Sequence, residues 1–133
     1  MKNKKGHRKI KVLLSKSKMD VHDRGLRYLA RKMSEAGMEV ILIRHGLIDE
    51  VVNTAIQEDV DVIGLSFSVG GHINVCRRLQ QLLKEKGAED KVTIVGGIIP
   101  EDDIIALKEL NVAGAFGAGT SAEEAIDFIQ SLN

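Results

Sequence analysis

The sequence predicts an α/β fold: one doubly wound, five-stranded parallel sheet with helices on both faces. Three observations carry that expectation. Short apolar runs alternate five times with stretches of helical periodicity, the pattern of right-handed strand–helix–strand crossovers. The third run, residues 60–67, is almost wholly apolar, as a central parallel strand covered on both faces must be. The 133 residues make one domain, large enough to withdraw roughly two-thirds of the unfolded surface from water.

Residues 9–15 form the first strand. Residues 25–36 put Leu26, Leu29, Ala30 and Met33 on one helical face, and Gly37 closes that helix in the left-handed conformation open to glycine. Residues 39–44 are the second strand, and 49–58 a helix with Val51, Val52, Ala55 and Ile56 inward. The third strand leads to a helix over 74–86 that stops at Gly87. Residues 91–95 are the fourth strand, and Pro100, suited to a first turn, opens a helix running to about residue 110. Residues 112–116 are the fifth strand. Ser121 caps the last helix, and Glu124 three residues on completes a capping box. The order expected for five such strands is the flavodoxin-like 2-1-3-4-5, with its switch point between strands one and three.

Composition removes several function classes. Nineteen basic and nineteen acidic side chains balance, with no basic stripe and no interleaved aromatics, which argues against a nucleic-acid or membrane surface. No apolar run approaches the ~20 residues that span a bilayer. The lone Cys76 rules out an internal disulfide framework, fits a reducing cytoplasm, and falls on an amphipathic helix as a buried structural thiol. The opening Met-Lys-Asn-Lys-Lys-Gly-His-Arg-Lys precedes no signal-peptide core, so residues 1–8 read as a basic, flexible tail and 9–133 as the domain.

Chemistry concentrates in the loops that follow the strands, where open α/β sheets bind ligands. After strand one come Asp20-Val21-His22-Asp23-Arg24-Gly25. An imidazole there, with a carboxylate two residues before it, reads as an oriented metal ligand. The carboxylate holds one ring nitrogen and leaves the other for the metal. After strand three come Ser66-Phe-Ser68-Val-Gly70-Gly71-His72, after strand four Gly96-Gly97-Ile-Ile-Pro100, and after strand five Gly117-Ala-Gly119-Thr120-Ser121. Glycine pairs let a ligand approach the backbone and expose main-chain N–H groups, so this rim fits something long and flat reaching between the strands. Each element has a plainer reading: the glycine pairs as tight turns, Ser66 as a helix cap, Asp20 and Asp23 as a solvated acidic turn. His45 and His72, without a carboxylate at short spacing, read as loop or capping histidines.

Other doubly wound binders of this size fit poorly. A phosphorylated receiver domain needs an aspartate at the end of strand three, where this chain has Ser66. A flavodoxin needs a hydroxyl-rich loop after strand one. No Gly-x-Gly-x-x-Gly follows that strand, which weakens dinucleotide binding. A closed zinc site needs four ligands where only one candidate stands. A macrocycle that brings four nitrogens of its own needs one.

Asp20-x-His22-x-x-Gly25, with Ser66 after strand three and Gly96-Gly97 after strand four, resembles the cobalamin-binding domain of the adenosylcobalamin-dependent mutases. The likeness is greatest to methylmalonyl-CoA mutase and its acyl-CoA mutase relatives, and it runs from about residue 9 to the end. His22–Gly25, Gly70–His72 and Gly96–Glu101 all read like the mutase version, and residues 50–61 like the small subunits of these enzymes. Methionine synthase and corrinoid methyltransferases share the short motif but place a helical bundle before the domain. Two positions depart from the family pattern: Val21 stands where glycine is usual, and Ser68 where leucine is usual.

The resemblance implies cobalamin bound base-off, with His22 as the lower ligand of cobalt and the nucleotide tail in a slot beside strand one. Ser66 would meet the benzimidazole, Gly96 and Gly97 would flank the tail, and Phe116 and Thr120 would lie along it. Asp20, with Lys16 behind it, would tune the imidazole. Val21, Asp23, Arg24, Gly25, Ser68, Gly70 and Gly119 complete the expected cofactor-binding set. The activity implied is carbon-skeleton rearrangement of an acyl-CoA. It would be shared with a barrel-type large subunit that holds the substrate, since a (β/α)₈ barrel takes ~250 residues of its own. Two alternatives remain at this stage: a stand-alone cobalamin carrier or sensor, and an interaction module that has lost corrin binding.

Overall fold

A computed structural model describes residues 9–20, 24–68, 70–117 and 120–132. Five strands, β1 (Lys11–Ser17), β2 (Glu39–His45), β3 (Val62–Phe67), β4 (Val92–Gly97) and β5 (Val112–Phe116), alternate with five helices, α1 (Arg24–Glu35), α2 (Ile48–Glu58), α3 (His72–Glu85), α4 (Glu101–Glu109) and α5 (Ala122–Gln130). All pairings are parallel and the order is β2-β1-β3-β4-β5, as expected.

The alternation of the strands divides the apolar residues between two cores. Leu13, Ile63, Leu65 and Val95 point to one face, where Val51, Val52, Cys76, Leu79, Leu83 and Leu107 of α2, α3 and α4 seal them. Val12, Leu14, Val62 and Ile94 point to the other, against Leu26 and Met33 of α1 and Ile126 and Ile129 of α5. Cys76 is fully buried, and burial pushes its thiol up to about 12, which makes it an inert packing group.

Several boundaries differ from the expected ones for identifiable reasons. β1 runs two residues later than the apolar run implies, because its ladder with β2 continues through Lys16↔Arg44 and Ser17↔His45. That extension draws Lys16 into the sheet. α2 begins at Ile48, so the inward face is Ile48, Val51, Val52 and Ala55, and Ile56 stands 39% exposed instead of inward. β4 continues through both Gly96 and Gly97, which pair with Ser66 and Phe67. Pro100 occupies the cap position just before α4. The left-handed cap at Gly37 is present, and the Ser121 side chain accepts the Glu124 N–H.

The two histidines read as loop or capping residues are both buried. His72 opens α3 and pairs through Nε2 with Asp103 Oδ2, a carboxylate in the first turn of α4. A partner 31 residues away is invisible to a search at short spacing. His45 ends β2, its Nδ1 2.5 Å from the Ser15 hydroxyl. Burial lowers its pKa below the ordinary 6.5, against an opposing pull from Glu50. The unfolded chain therefore takes up a proton near pH 6.5 that the folded chain refuses. Stability from this group is full above that pH and is lost as pH falls toward the lowered native value. The urea midpoint should fall between about pH 7.5 and 5.5, and His45→Gln should flatten that slope. An equal slope in the variant would place the acid sensitivity elsewhere.

Candidate functional site

On the face that carries α1 and α5, two rows of side chains cross the sheet. Register aligns Leu14, Gly64, Ile94 and Gly114 in the first, and Lys16, Ser66, Gly96 and Phe116 in the second. The middle strands thus present glycine, serine and glycine where a sealed sheet would carry Val or Ile. A Cβ added at Gly64 would sit 2.7 Å from Leu14 Cδ2, and one at Gly96 would sit 3.3 Å from the Phe116 carbonyl oxygen. The missing side chains leave a cleft of about 760 Å³ between α1 and α5. That volume lies within the ~300–1,000 Å³ of ordinary ligand sites.

Nine of the sequence-predicted site residues line it. Lys16, Ser66 and Ser68 lie over β1 and β3, Arg24 and Gly25 on the α1 bank, Gly96 and Gly97 along β4, and Phe116 and Thr120 on the far side. Ser66 is a strand residue facing the cleft, which removes the reading of it as a helix cap. Gly70 is exposed and does not line the cleft. Val21, His22, Asp23 and Gly119 lie outside the described residues.

Gly97 is the glycine whose backbone cannot take a side chain. Its φ is +101°, and a Cβ there would fall 2.1 Å from the Phe67 carbonyl oxygen, the atom that accepts the Ile98 N–H at 2.7 Å. The turn after β4 is thereby clamped to the end of β3.

At the cleft's mouth lies a buried polar network. Lys16 and Asp20 side chains are 4% and 3% exposed, with Nζ 3.3 Å from Oδ2. Lys16 Nζ also donates to Ser68 Oγ at 2.8 Å, and the Ser68 main-chain N–H donates to Asp20 Oδ2 at 3.1 Å. Arg44 donates to the Asp20 and Ser17 carbonyls from β2. Asp20 is therefore no solvated turn residue: it is held from β1, β2 and the loop after β3, two residues before His22 in the chain. A carboxylate fixed this way can orient an adjacent imidazole, the arrangement that supports metal-bound histidines.

Sequence reasoning missed Gly64, Leu14, Tyr28 and Ala125, all of which line the cleft. Gly64 had a signal, because a glycine inside an otherwise apolar buried strand marks a place where something approaches the sheet closely. Tyr28 had none beyond being the chain's single tyrosine; it stands 44% exposed beside the Arg31 and Lys32 cations.

Residues 10–127 match the model of the B12 binding domain family. The chain is 44% identical over 124 residues to the 2-hydroxyisobutanoyl-CoA mutase small subunit of Aquincola tertiaricarbonis, covering 92% of this chain and 91% of that one. It is 38% identical to the pivalyl-CoA mutase small subunit of Xanthobacter autotrophicus, covering 96% and 86%. It is also 36% identical to the methylmalonyl-CoA mutase of Rhizobium meliloti, of whose length it spans 18%. Among solved structures, a cobalamin-binding protein from Desulfitobacterium hafniense DCB-2 superposes with a TM-score of 0.79 over 94% of this chain and 60% of that one. At 19% identity this is a likeness of fold.

The contrast between two glycines tests the clamp. Gly97→Ala should lose about 2 kcal/mol or more of stability, since both φ and the Phe67 carbonyl oppose it. Gly70→Ala, with nothing within 4 Å, should stay within about 0.5 kcal/mol. Urea unfolding checks both, and equal losses would mean that Gly97 is an ordinary turn glycine.

Proposed function

The chain belongs to the B12-binding domain family, and we propose that it is the cobalamin-binding small subunit of a two-chain, adenosylcobalamin-dependent acyl-CoA mutase acting in the cytoplasm. The observation that carries this reading is the glycine-floored cleft between α1 and α5, opening beside the buried Lys16–Asp20 pair. An elongated nucleotide arm fits such a slot, while a ring as broad as a corrin has to rest on the loops above it. The similarity to two small subunits of acyl-CoA mutases, over most of their length, supports the division of labour.

The residues present suit the cofactor. Gly64, Ser66 and Gly96 would admit the arm, with Ser66 Oγ available to its polar atoms, and Phe116 and Thr120 would bound it. His22 would supply the lower cobalt ligand in place of the displaced benzimidazole. The bound cofactor supplies radical chemistry through homolysis of its cobalt–carbon bond. What this chain supplies is position and electrostatics. Asp20 would fix the tautomer and orientation of His22, Lys16 would set how much negative charge that carboxylate lends, and the clamped turn at Gly97 would keep one bank of the slot in place. Substrate would be held by a barrel-type large subunit, and the domain proper would span residues 9–133 behind a basic tail.

A spectrum tests ligation. Purified protein mixed with cobalamin should lose the base-on absorption band, and His22→Ala should retain it or bind ~10–100-fold more weakly. A variant indistinguishable from wild type would sink His22 as the ligand. Gel filtration with the large subunit, with and without adenosylcobalamin, tests the pairing, and failure of every combination to associate would favour the stand-alone carrier.

A further inference from the structure

We propose that Ser68 is a positioning residue for the cobalt ligand, its hydroxyl holding the Lys16 ammonium and its main-chain N–H holding the Asp20 carboxylate. This deepens the reading above and rests on it. Three observations converge. Ser68 stands where the family resemblance leads one to expect leucine, a residue with no hydrogen-bonding side chain. Its Oγ is 2.8 Å from Lys16 Nζ, and its N–H is 3.1 Å from Asp20 Oδ2. The ion pair it serves has almost no solvent contact, with side chains 4% and 3% exposed.

A buried ammonium carries three donors and no acceptor, so each partner within the protein matters. A buried pair is tolerated only when further hydrogen bonds satisfy what the partners leave over. Lys16 here bonds the hydroxyl at 2.8 Å and stands 3.3 Å from the carboxylate. The shorter bond holds the ammonium back from Asp20, and the N–H from the same residue holds the carboxylate in place. Ser68 thus sets both distance and direction in the Lys16–Asp20 pair. On the reading in which Asp20 orients His22, Ser68 would thereby set how firmly that imidazole is offered to the cofactor. Leucine at this position keeps the N–H contact and loses the hydroxyl, which leaves Lys16 to close onto the carboxylate and withdraw charge from the imidazole.

The experiment titrates wild type, Ser68→Ala, Ser68→Leu and Ser68→Thr with cob(II)alamin. It reads the dissociation constant, and the histidine-nitrogen splitting in the electron paramagnetic resonance spectrum. Ser68→Ala and Ser68→Leu should bind about 10-fold more weakly and show altered nitrogen splitting, with Ser68→Thr close to wild type. In a Lys16→Met background, Ser68→Ala should add nothing. Full additivity there, or wild-type affinity and splitting in Ser68→Ala, would overturn the proposal while leaving His22 as the ligand. Equal weakening by Ser68→Ala in a His22→Ala background would overturn it too, since the serine would then act by touching the cofactor directly. With 15N-labelled histidine separating imidazole from benzimidazole nitrogen, a histidine splitting that persists in His22→Ala would overturn the underlying reading instead. Thermal unfolding of each variant fixes the folded fraction to which the constants refer.

Discussion

Parallel register between β1, β3 and β4 is the constraint on which the rest of this molecule depends. A strand can present only alternate residues to one face, so sliding a strand by one position exchanges its two faces. With Leu14 opposite Gly64 and Lys16 opposite Ser66, the small residues of β3 and β4 fall in line beneath the gap between α1 and α5. The opposite face receives Leu13, Ile63, Leu65 and Val95, each at most 2% exposed. One register therefore yields a sealed core and an open cleft from the same three strands. The position of the cleft follows from strand order, because the chain reverses direction across the sheet between β1 and β3, where the loops diverge.

The polar network is a second consequence of that register. Extending β1 to Ser17 brings Lys16 alongside Ser66 and into the reach of Ser68 and Asp20. Removing two charges from water costs several kcal/mol for each ion, a cost that a chain built only for stability avoids by using apolar residues of similar volume. Its presence at the mouth of the cleft, rather than within either core, fits a site that needs a fixed carboxylate more than it needs the last increment of stability. Lys91, the other buried lysine among the described residues, is bonded to Asp59 and the Val60 carbonyl at the opposite end of the strands. The Asp59 side chain stays 69% exposed, so the Lys91 pair is half in water, unlike the fully buried pair beside the cleft.

Most of the architecture was legible because it is periodic. Alternation of short apolar runs with helical faces fixes element type and order, and glycine at Gly37 and serine at Ser121 mark a helix end and a helix start by local chemistry alone. The loops after the strands were legible as the binding rim for the same reason, since the fold dictates where they gather. What escaped was everything that depends on long-range partners. The 31-residue separation of His72 and Asp103 leaves no trace in local spacing. Ile56 falls at the edge of the buried stripe of α2 because Ile48, one residue before the expected start, extends that stripe on its other side. The family resemblance implies Lys16 behind Asp20, yet its second bond, to Ser68, spans 52 residues and needs the sheet to exist.

The two cores also differ in what they ask of the chain. The α2–α4 face is packed by groups from three helices, none of which lines the cleft, so its apolar burial needs no ligand. The α1–α5 face closes only at its lower end, around Met33, Ile94, Ile126 and Ile129, and leaves Leu14 and Ile94 as the apolar floor of an open slot. Leu14 and Ile94 are already 1% and 3% exposed, so a molecule that enters the slot gains contact with them without having to seal them from water. A ligand that binds the folded chain and not the unfolded one stabilises the domain as a whole. Such a division suits a protein that must hold its loops ready around a large cofactor. The rigid side fixes the ends of β3 and β4 through the Phe67–Gly97 clamp and the His72–Asp103 pair. The open side is left free to be filled.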